Sequence, residues 1–204
     1  MIGLCGSHRS GKTSLAKAFA EKHNIAFVQT GASAVFKDMG LDPAKHYDFA
    51  TRLAVQEEIL RRFDLQYAEI DAKSAITDRT PLDLLAYTMA EAVQHAVPAE
   101  LQARFKKYVQ SCIDVTNKRF GVLLVVQPGI KIVAEEGKAA LNEAYLEHLN
   151  SIILGLSVDE RIKSAHFYIP RHMTDMDERL AALDFAVNRA KKRAETELET
   201  AVLH

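Results

Sequence analysis

The sequence predicts an α/β fold in which a five-stranded parallel sheet carries helices on both faces, three layers in all. Three observations lead there. Short apolar runs alternate with helix-period segments from end to end, the pattern of strands joined by crossover helices rather than of segregated halves. The run Val122-Leu123-Leu124-Val125-Val126 is apolar at every position, as a strand covered on both faces must be. With 204 residues, 48% of them hydrophobic, the chain can bury the core of one compact domain spanning residues 1–204.

The first strand, Met1–Cys5, runs directly into Gly6-Ser7-His8-Arg9-Ser10-Gly11-Lys12-Thr13, and a helix is expected from Ser14 to Lys22. This octet matches G-x-x-x-x-G-K-[ST] in full, in the strand–loop–helix setting that gives the motif its meaning. Its glycines let the backbone close into a ring of N–H donors for phosphate, and the helix N-terminus adds a favourable dipole. Lys12 reaches the outer phosphates, and the Thr13 hydroxyl is placed to bind magnesium. The expected fold is therefore the three-layer P-loop NTPase fold. Gly6, Ser7, His8, Arg9, Ser10, Gly11, Lys12, Thr13 and Ser14 form the nucleotide-binding set, with ATP or another nucleoside triphosphate and Mg2+ as its ligands.

The second strand is Ile25–Gln29 and the third Ser74–Asp78, with a long helix before the third that carries Gln56 and Tyr67. The third strand opens a second motif, Asp78-Arg79-Thr80-Pro81-Leu82-Asp83. At the carboxyl edge of a parallel sheet this lies where ligands bind. Asp78 is a candidate to hold magnesium, together with Thr13, or to accept the proton of an acceptor hydroxyl, and Arg79 to neutralise charge on a moving phosphoryl group. A plainer structural role would have Asp78 cap the next helix and Arg79 pair with a surface acid. Beyond it, Leu101, Phe105, Tyr108, Cys112 and Val115 recur at helical spacing behind Pro98, and Leu180, Leu183, Val187 and Ala190 do the same near the end. The fourth strand is Gly121–Gln127 and the fifth Ala165–Ile169. Arg189 to Glu199 mixes charges and reads as a solvated helical face.

The two motifs together resemble those of P-loop kinases in the thymidylate and deoxynucleoside kinase group, over roughly residues 1–90. The resemblance implies an ATP-dependent phosphotransferase acting on a deoxynucleoside or deoxynucleotide acceptor, with Lys12, Asp78, Arg79 and Arg9 as its catalytic residues. Arg9-Ser10-Gly11-Lys12-Thr13 is similar to the arginine-bearing loop of one thymidylate kinase type, and the segment of about residues 128–140 stands where the group carries its lid. That segment, from Gln127-Pro128-Gly129-Ile130-Lys131 through Lys138, has lysines and no arginine, and Arg9 can compensate. Two positions depart from the pattern. His8 replaces the carboxylate that meets the sugar hydroxyl, and Val28-Gln29-Thr30-Gly31 supplies no acid after the second strand. The group also includes phage-type kinases of 5-hydroxymethyluracil already built into DNA, so DNA stands beside free nucleotides as an acceptor. A local groove of Lys37, Lys45, Arg52, Arg61 and Arg62 would serve it. A base-reading role for Gln56, a homodimer formed through helices, and a reach of Arg161 or Arg171 toward the nucleotide stay open at this stage.

Lysines and arginines number 26 against 27 acids, a formal charge of −1, so no whole-protein field favours nucleic acid or an anionic membrane. Met1–Cys5 is too short for a signal peptide, and no run reaches the ~18 residues of a membrane span, which gives a cytoplasmic expectation. Cys5 and Cys112 are expected as reduced core residues. Asn117-Lys118-Arg119-Phe120 lacks the aspartate of a guanine-reading N-K-x-D. The third strand ends in Asp78-Arg79 and the fourth in Gln127-Pro128, where a ring-forming ATPase would carry Asp-Glu to activate water. The competing function is a P-loop ATPase or nucleotide-binding regulatory module without a phosphoryl acceptor.

Overall fold

The computed structural model describes residues 1–42, 45–70, 74–94, 97–131 and 142–202. The elements run β1 (Ile2–Cys5), α1 (Lys12–His23), β2 (Ala26–Val28), α2 (Ala32–Asp38), α3 (Phe49–Ala68), β3 (Ala75–Thr77), α4 (Pro81–Gln94), α5 (Ala99–Arg119), β4 (Val122–Val126), α6 (Glu143–Ser157), β5 (Ala165–Ile169) and α7 (Met176–Val202). Each expected strand is present within a residue of its anticipated ends. The sheet has the order β2-β3-β1-β4-β5, and every neighbouring pair is parallel. Sequence reasoning placed no helix at α2 or α6, and α1 begins at Lys12, inside the motif, rather than at Ser14.

Side-chain alternation along the strands builds two cores. Cys5, Val28, Ala75, Leu123 and Val125 face the layer of α3, α4, α5 and α6. Leu4, Ile76, Leu124, Val126 and Ile169 face the other way, onto α1 and α7. Because successive strand residues point to opposite faces, a continuously apolar β4 feeds both cores at once. The edge strand β5 is covered on one side only, and its Tyr168 stays exposed.

Local chemistry sets several ends. The Asp48 carboxylate accepts from Thr51 N (2.7 Å) at the start of α3, and Asn142 from Tyr145 N (3.0 Å) at the start of α6. At the end of α5 the Arg119 guanidinium donates to Asp64 (2.6 Å), and Asn117 donates to Arg161 O while accepting from Lys163 N (both 2.8 Å). The string Asn117-Lys118-Arg119 is thus a structural clasp between α5, α3 and the approach to β5. Cys5 and Cys112 are buried free thiols. On α7 residues 191–197 are exposed and Arg193 pairs with Glu197, a solvated face as expected.

Leu123 lies at the centre of β4 with no exposed surface. Leu123→Ala should cost about 2–5 kcal/mol, read as a lower urea midpoint at unchanged m, whereas Tyr168→Ala on the open side of β5 should shift stability by less than about 0.5 kcal/mol.

Candidate active site

The phosphate loop leaves β1 at its carboxyl end and turns on three residues of positive φ, Gly6 (150°), Arg9 (62°) and Gly11 (87°). A Cβ at Gly6 would sit 2.4 Å from the Val126 carbonyl oxygen, so that position has no room for a side chain, and at Gly11 the positive φ itself disfavours one. Gly11 caps α1 with no side-chain hydrogen bond. The first amides of α1 are thus left to a ligand, the arrangement in which a helix N-terminus takes phosphate. Lys12 Nζ folds back over the loop and donates to Gly6 O and Ser7 O, both at 2.7 Å. Burial lowers its pKa, against the pull of nearby Asp83. The Ser7 and Ser10 hydroxyls are buried without hydrogen-bond partners among the described residues.

The loop meets the β3 edge at two carboxylates. Thr13 Oγ1 donates to Asp78 Oδ2 at 2.5 Å, bringing together the two residues expected at the metal. Two hard oxygens at the phosphate loop suit a magnesium ion that takes its other ligands from phosphates and water. The capping role considered for Asp78 belongs instead to Asp83. Its Oδ2 accepts from Thr80 N (2.7 Å) and Thr80 Oγ1 (2.9 Å) at the start of α4, and its Oδ1 accepts from Gly6 N (3.0 Å). Burial raises the pKa of Asp83, and Lys12 opposes that shift. The backbone beside it is held by Arg79 O, which accepts from Tyr67 OH at 2.9 Å.

Arg79 lines a cavity of about 300 Å³ between α2, α3, α4 and α6, shared with Arg52, Gln56, Tyr87, Glu91 and Tyr145. Gln56 Oε1 is buried without a hydrogen-bond partner among the described residues. His8 joins the phosphate loop to this cavity, its Nδ1 lying 3.1 Å from Tyr87 OH. A larger hollow of about 730 Å³ lies at β5 between α6 and α7, lined mainly by apolar side chains with no lysine, arginine or carboxylate. The smaller cavity is the one that adjoins the motifs.

Other basic residues considered at the site form surface pairs. Arg161 pairs with Asp159 (2.8 Å) and Arg171 with Glu147, so neither is turned to the phosphate loop. Within the basic groove Arg61 and Arg62 both pair with Glu58 (2.7 and 2.8 Å), and Arg62 also pairs with Asp38. Arg52 donates to Lys45 O and stacks over Phe36 and Tyr47. Of the lid-like segment, residues 132–140 lie outside the described residues; its root is tied by Gln127 N to Ile169 O (3.3 Å). Sequence reasoning missed Arg179 of α7. It is 1% exposed and donates from Nη1 to Ser10 O (2.9 Å) and from Nε to Met173 O (2.7 Å), bracing the phosphate loop from behind.

No curated protein matches the chain by sequence. Among solved structures it is similar to deoxyadenosine kinase from M. mycoides with bound dCTP, at a TM-score of 0.63 and 15% identity over 92% of this chain and 98% of that one. It is likewise similar to thymidylate kinase from Candida albicans (TM-score 0.65, 13% identity, 93% of this chain and 91% of that one). A third is YorR protein from Bacillus subtilis in complex with phosphorylated GDP (TM-score 0.54, 10% identity, 92% and 95%). At these identities the likeness is one of fold, the five-stranded parallel sheet with flanking helices. The family profile described as AAA domain matches residues 1–115, from β1 into α5 and over more than half of the 204 residues, and the chain belongs to that AAA domain family.

Proposed function

We propose that residues 1–204 form one ATP-dependent kinase domain that transfers the γ-phosphoryl group to a deoxynucleoside- or deoxynucleotide-type acceptor. The observation that carries this reading is the 300 Å³ cavity beside the phosphate loop, which has Arg79 and Gln56 in its wall and His8–Tyr87 at its junction with the loop. A chain that only hydrolyses ATP needs no second, polar-walled cavity at that point. Nor does the β3 edge carry the Asp-Glu pair that activates water in ring-forming ATPases, since Asp78 is followed by Arg79. The fold shared with deoxyadenosine and thymidylate kinases supports the same acceptor class.

On this reading the amides of the loop and of α1 cradle the β- and γ-phosphates, with Gly6, Ser7, His8, Arg9, Ser10, Gly11, Lys12, Thr13 and Ser14 as the nucleotide-binding set. Lys12 exchanges its carbonyl partners for phosphate oxygens, a desolvated cation meeting a concentrated negative charge. Thr13 and Asp78 would hold magnesium, which when bound neutralises charge on the phosphates. Arg79 at the cavity wall and Arg9 at the loop tip neutralise the equatorial oxygens of the phosphoryl group as it passes between donor and acceptor. Gln56 offers an unengaged carbonyl oxygen at the depth where a nucleobase edge would lie. The ion-paired state of Arg61 and Arg62 favours a free deoxynucleoside or deoxynucleotide over a 5-hydroxymethyl-deoxyuridine held in DNA.

The test is transfer of label from γ-labelled ATP to a panel of deoxynucleosides, their monophosphates and DNA containing hydroxymethylated pyrimidine; labelled inorganic phosphate alone would overturn the reading. Lys12→Ala should lower turnover about 100-fold or more in a chain that still folds but melts at a lower temperature, because the variant also removes the cation beside buried Asp83. Asp78→Asn should lower kcat about 10- to 100-fold and move the KM for ATP much less. Because buried Gln56 Oε1 has no partner among the described residues, Gln56→Leu should leave stability unchanged or raised and weaken acceptor binding about tenfold, read as KM for the preferred base. Equal losses for every acceptor would place Gln56 outside base reading.

A further inference from the structure

We infer that His8, positioned by Tyr87, receives the proton of the acceptor, which therefore presents a hydroxyl rather than a phosphate to the γ-phosphorus. This inference rests on the kinase reading above and names the chemical group on which it acts.

The carboxylates near the loop are committed elsewhere. Asp78 accepts from the Thr13 hydroxyl at 2.5 Å, and Asp83 is buried with three donors on its two oxygens. The exit of β2, Gln29-Thr30-Gly31, has no acid. Glu91 lines the cavity, but it stands on α4 eight residues beyond Asp83, about 12 Å further along the helix axis at 1.5 Å per residue. His8 is in the phosphate loop itself. Its ring packs against Tyr87 and Tyr145, with centroids 6.4 and 6.3 Å away, and both tyrosines line the cavity.

The 3.1 Å contact between Nδ1 and Tyr87 OH orients the imidazole. We assign the tautomer in which Nδ1–H donates to the Tyr87 oxygen, which puts the lone pair on Nε2 for the acceptor. Charged and titratable groups face His8 from each side: Arg9 from the loop, Lys12 from α1, Arg79 from the β3 edge, Tyr87 from α4 and Tyr145 from α6. Burial first, then the three cations, lowers its pKa from 6.5, so the ring is neutral at physiological pH. Incoming triphosphate adds negative charge beside those cations and restores basicity when the acceptor is in place. The step is balanced: the acceptor oxygen bonds to the γ-phosphorus, the bond from that phosphorus to the β,γ-bridging oxygen breaks to release ADP, and the acceptor proton moves to Nε2. A phosphate acceptor, already ionised at neutral pH, would bring no proton and would give His8 nothing to accept.

The experiment is product identification with the wild-type chain, followed by pH profiles of kcat/KM for the preferred acceptor in wild type, His8→Gln, His8→Asp and Tyr87→Phe. We expect phosphate on a hydroxyl, and a wild-type rate that falls as pH drops through the pKa of His8 in the ATP-bound chain. In His8→Gln that acid limb should vanish, with kcat down about 100-fold. His8→Asp should recover part of the rate with its limb at lower pH, and Tyr87→Phe should keep the limb but displace it. Transfer to a phosphate group overturns the inference while leaving the kinase reading intact, and this outcome needs no variant to fold. So does a His8→Gln profile that keeps both rate and limb. No transfer to any acceptor by wild type overturns both.

Discussion

The site hangs on the carboxylate of Asp83. A carboxylate with 1% of its surface exposed would cost several kcal/mol to bury alone, and here its oxygens take Gly6 N, Thr80 N and Thr80 Oγ1, with the Lys12 ammonium close by. These donors belong to two separate segments, the phosphate loop and the β3–α4 turn. One buried charge therefore pins the first glycine of the loop to the start of α4. The residues on either side, Asp78 and Arg79 before it and Tyr87 one turn after it, inherit their positions from that joint.

From the joint the geometry spreads both ways. Toward the donor side, Thr13 meets Asp78 and the uncapped amides of α1 face outward, while Arg179 holds Ser10 O and Met173 O from behind the loop. Toward the cavity, Tyr87 meets His8, and α3 contributes Gln56 and Arg52 to the wall. A loop anchored by a carboxylate in front and a guanidinium behind is preorganised to receive phosphate without paying for reorganisation at the moment of transfer. The two cores serve the same end, for α1 rests on one and α3, α4 and α6 on the other.

The sheet was legible in the sequence because its signals are local. Apolar runs bounded by turn residues mark strands, and a fully apolar β4 can only be buried on both faces. The octet at Gly6–Thr13 and the Asp78-Arg79 pair were legible for the same reason, as contiguous residues at strand ends. What escaped is non-local. Asp83 and Gly6 are 77 residues apart, His8 and Tyr87 79, and Arg179 and Ser10 169, and none of these bonds leaves a spacing to recognise. Asp83 stood inside the second motif, yet only the packed turn shows that it, and not Asp78, is the cap. Arg161 and Arg171 were easier: a reach toward the nucleotide was open for them, surface pairing was the safer expectation, and each pairs with a neighbouring acid. The short α2 offers too few residues for a period and is held by packing against α3, whereas α6 carries Leu146, Leu149, Ile153 and Leu156 at helical spacing, a signal that the sequence reading passed over.

The central claim is that the cavity beside the phosphate loop accepts a phosphoryl group. Its most direct test is the stoichiometry of ADP formed to acceptor phosphorylated, with magnesium-ATP in the presence and absence of deoxynucleosides and deoxynucleotides, products being identified by mass. The account predicts slow ADP formation alone, strong stimulation by one acceptor, and one phosphorylated acceptor for each ADP. ADP formed at the same rate with or without acceptor, and matched by inorganic phosphate, would contradict it.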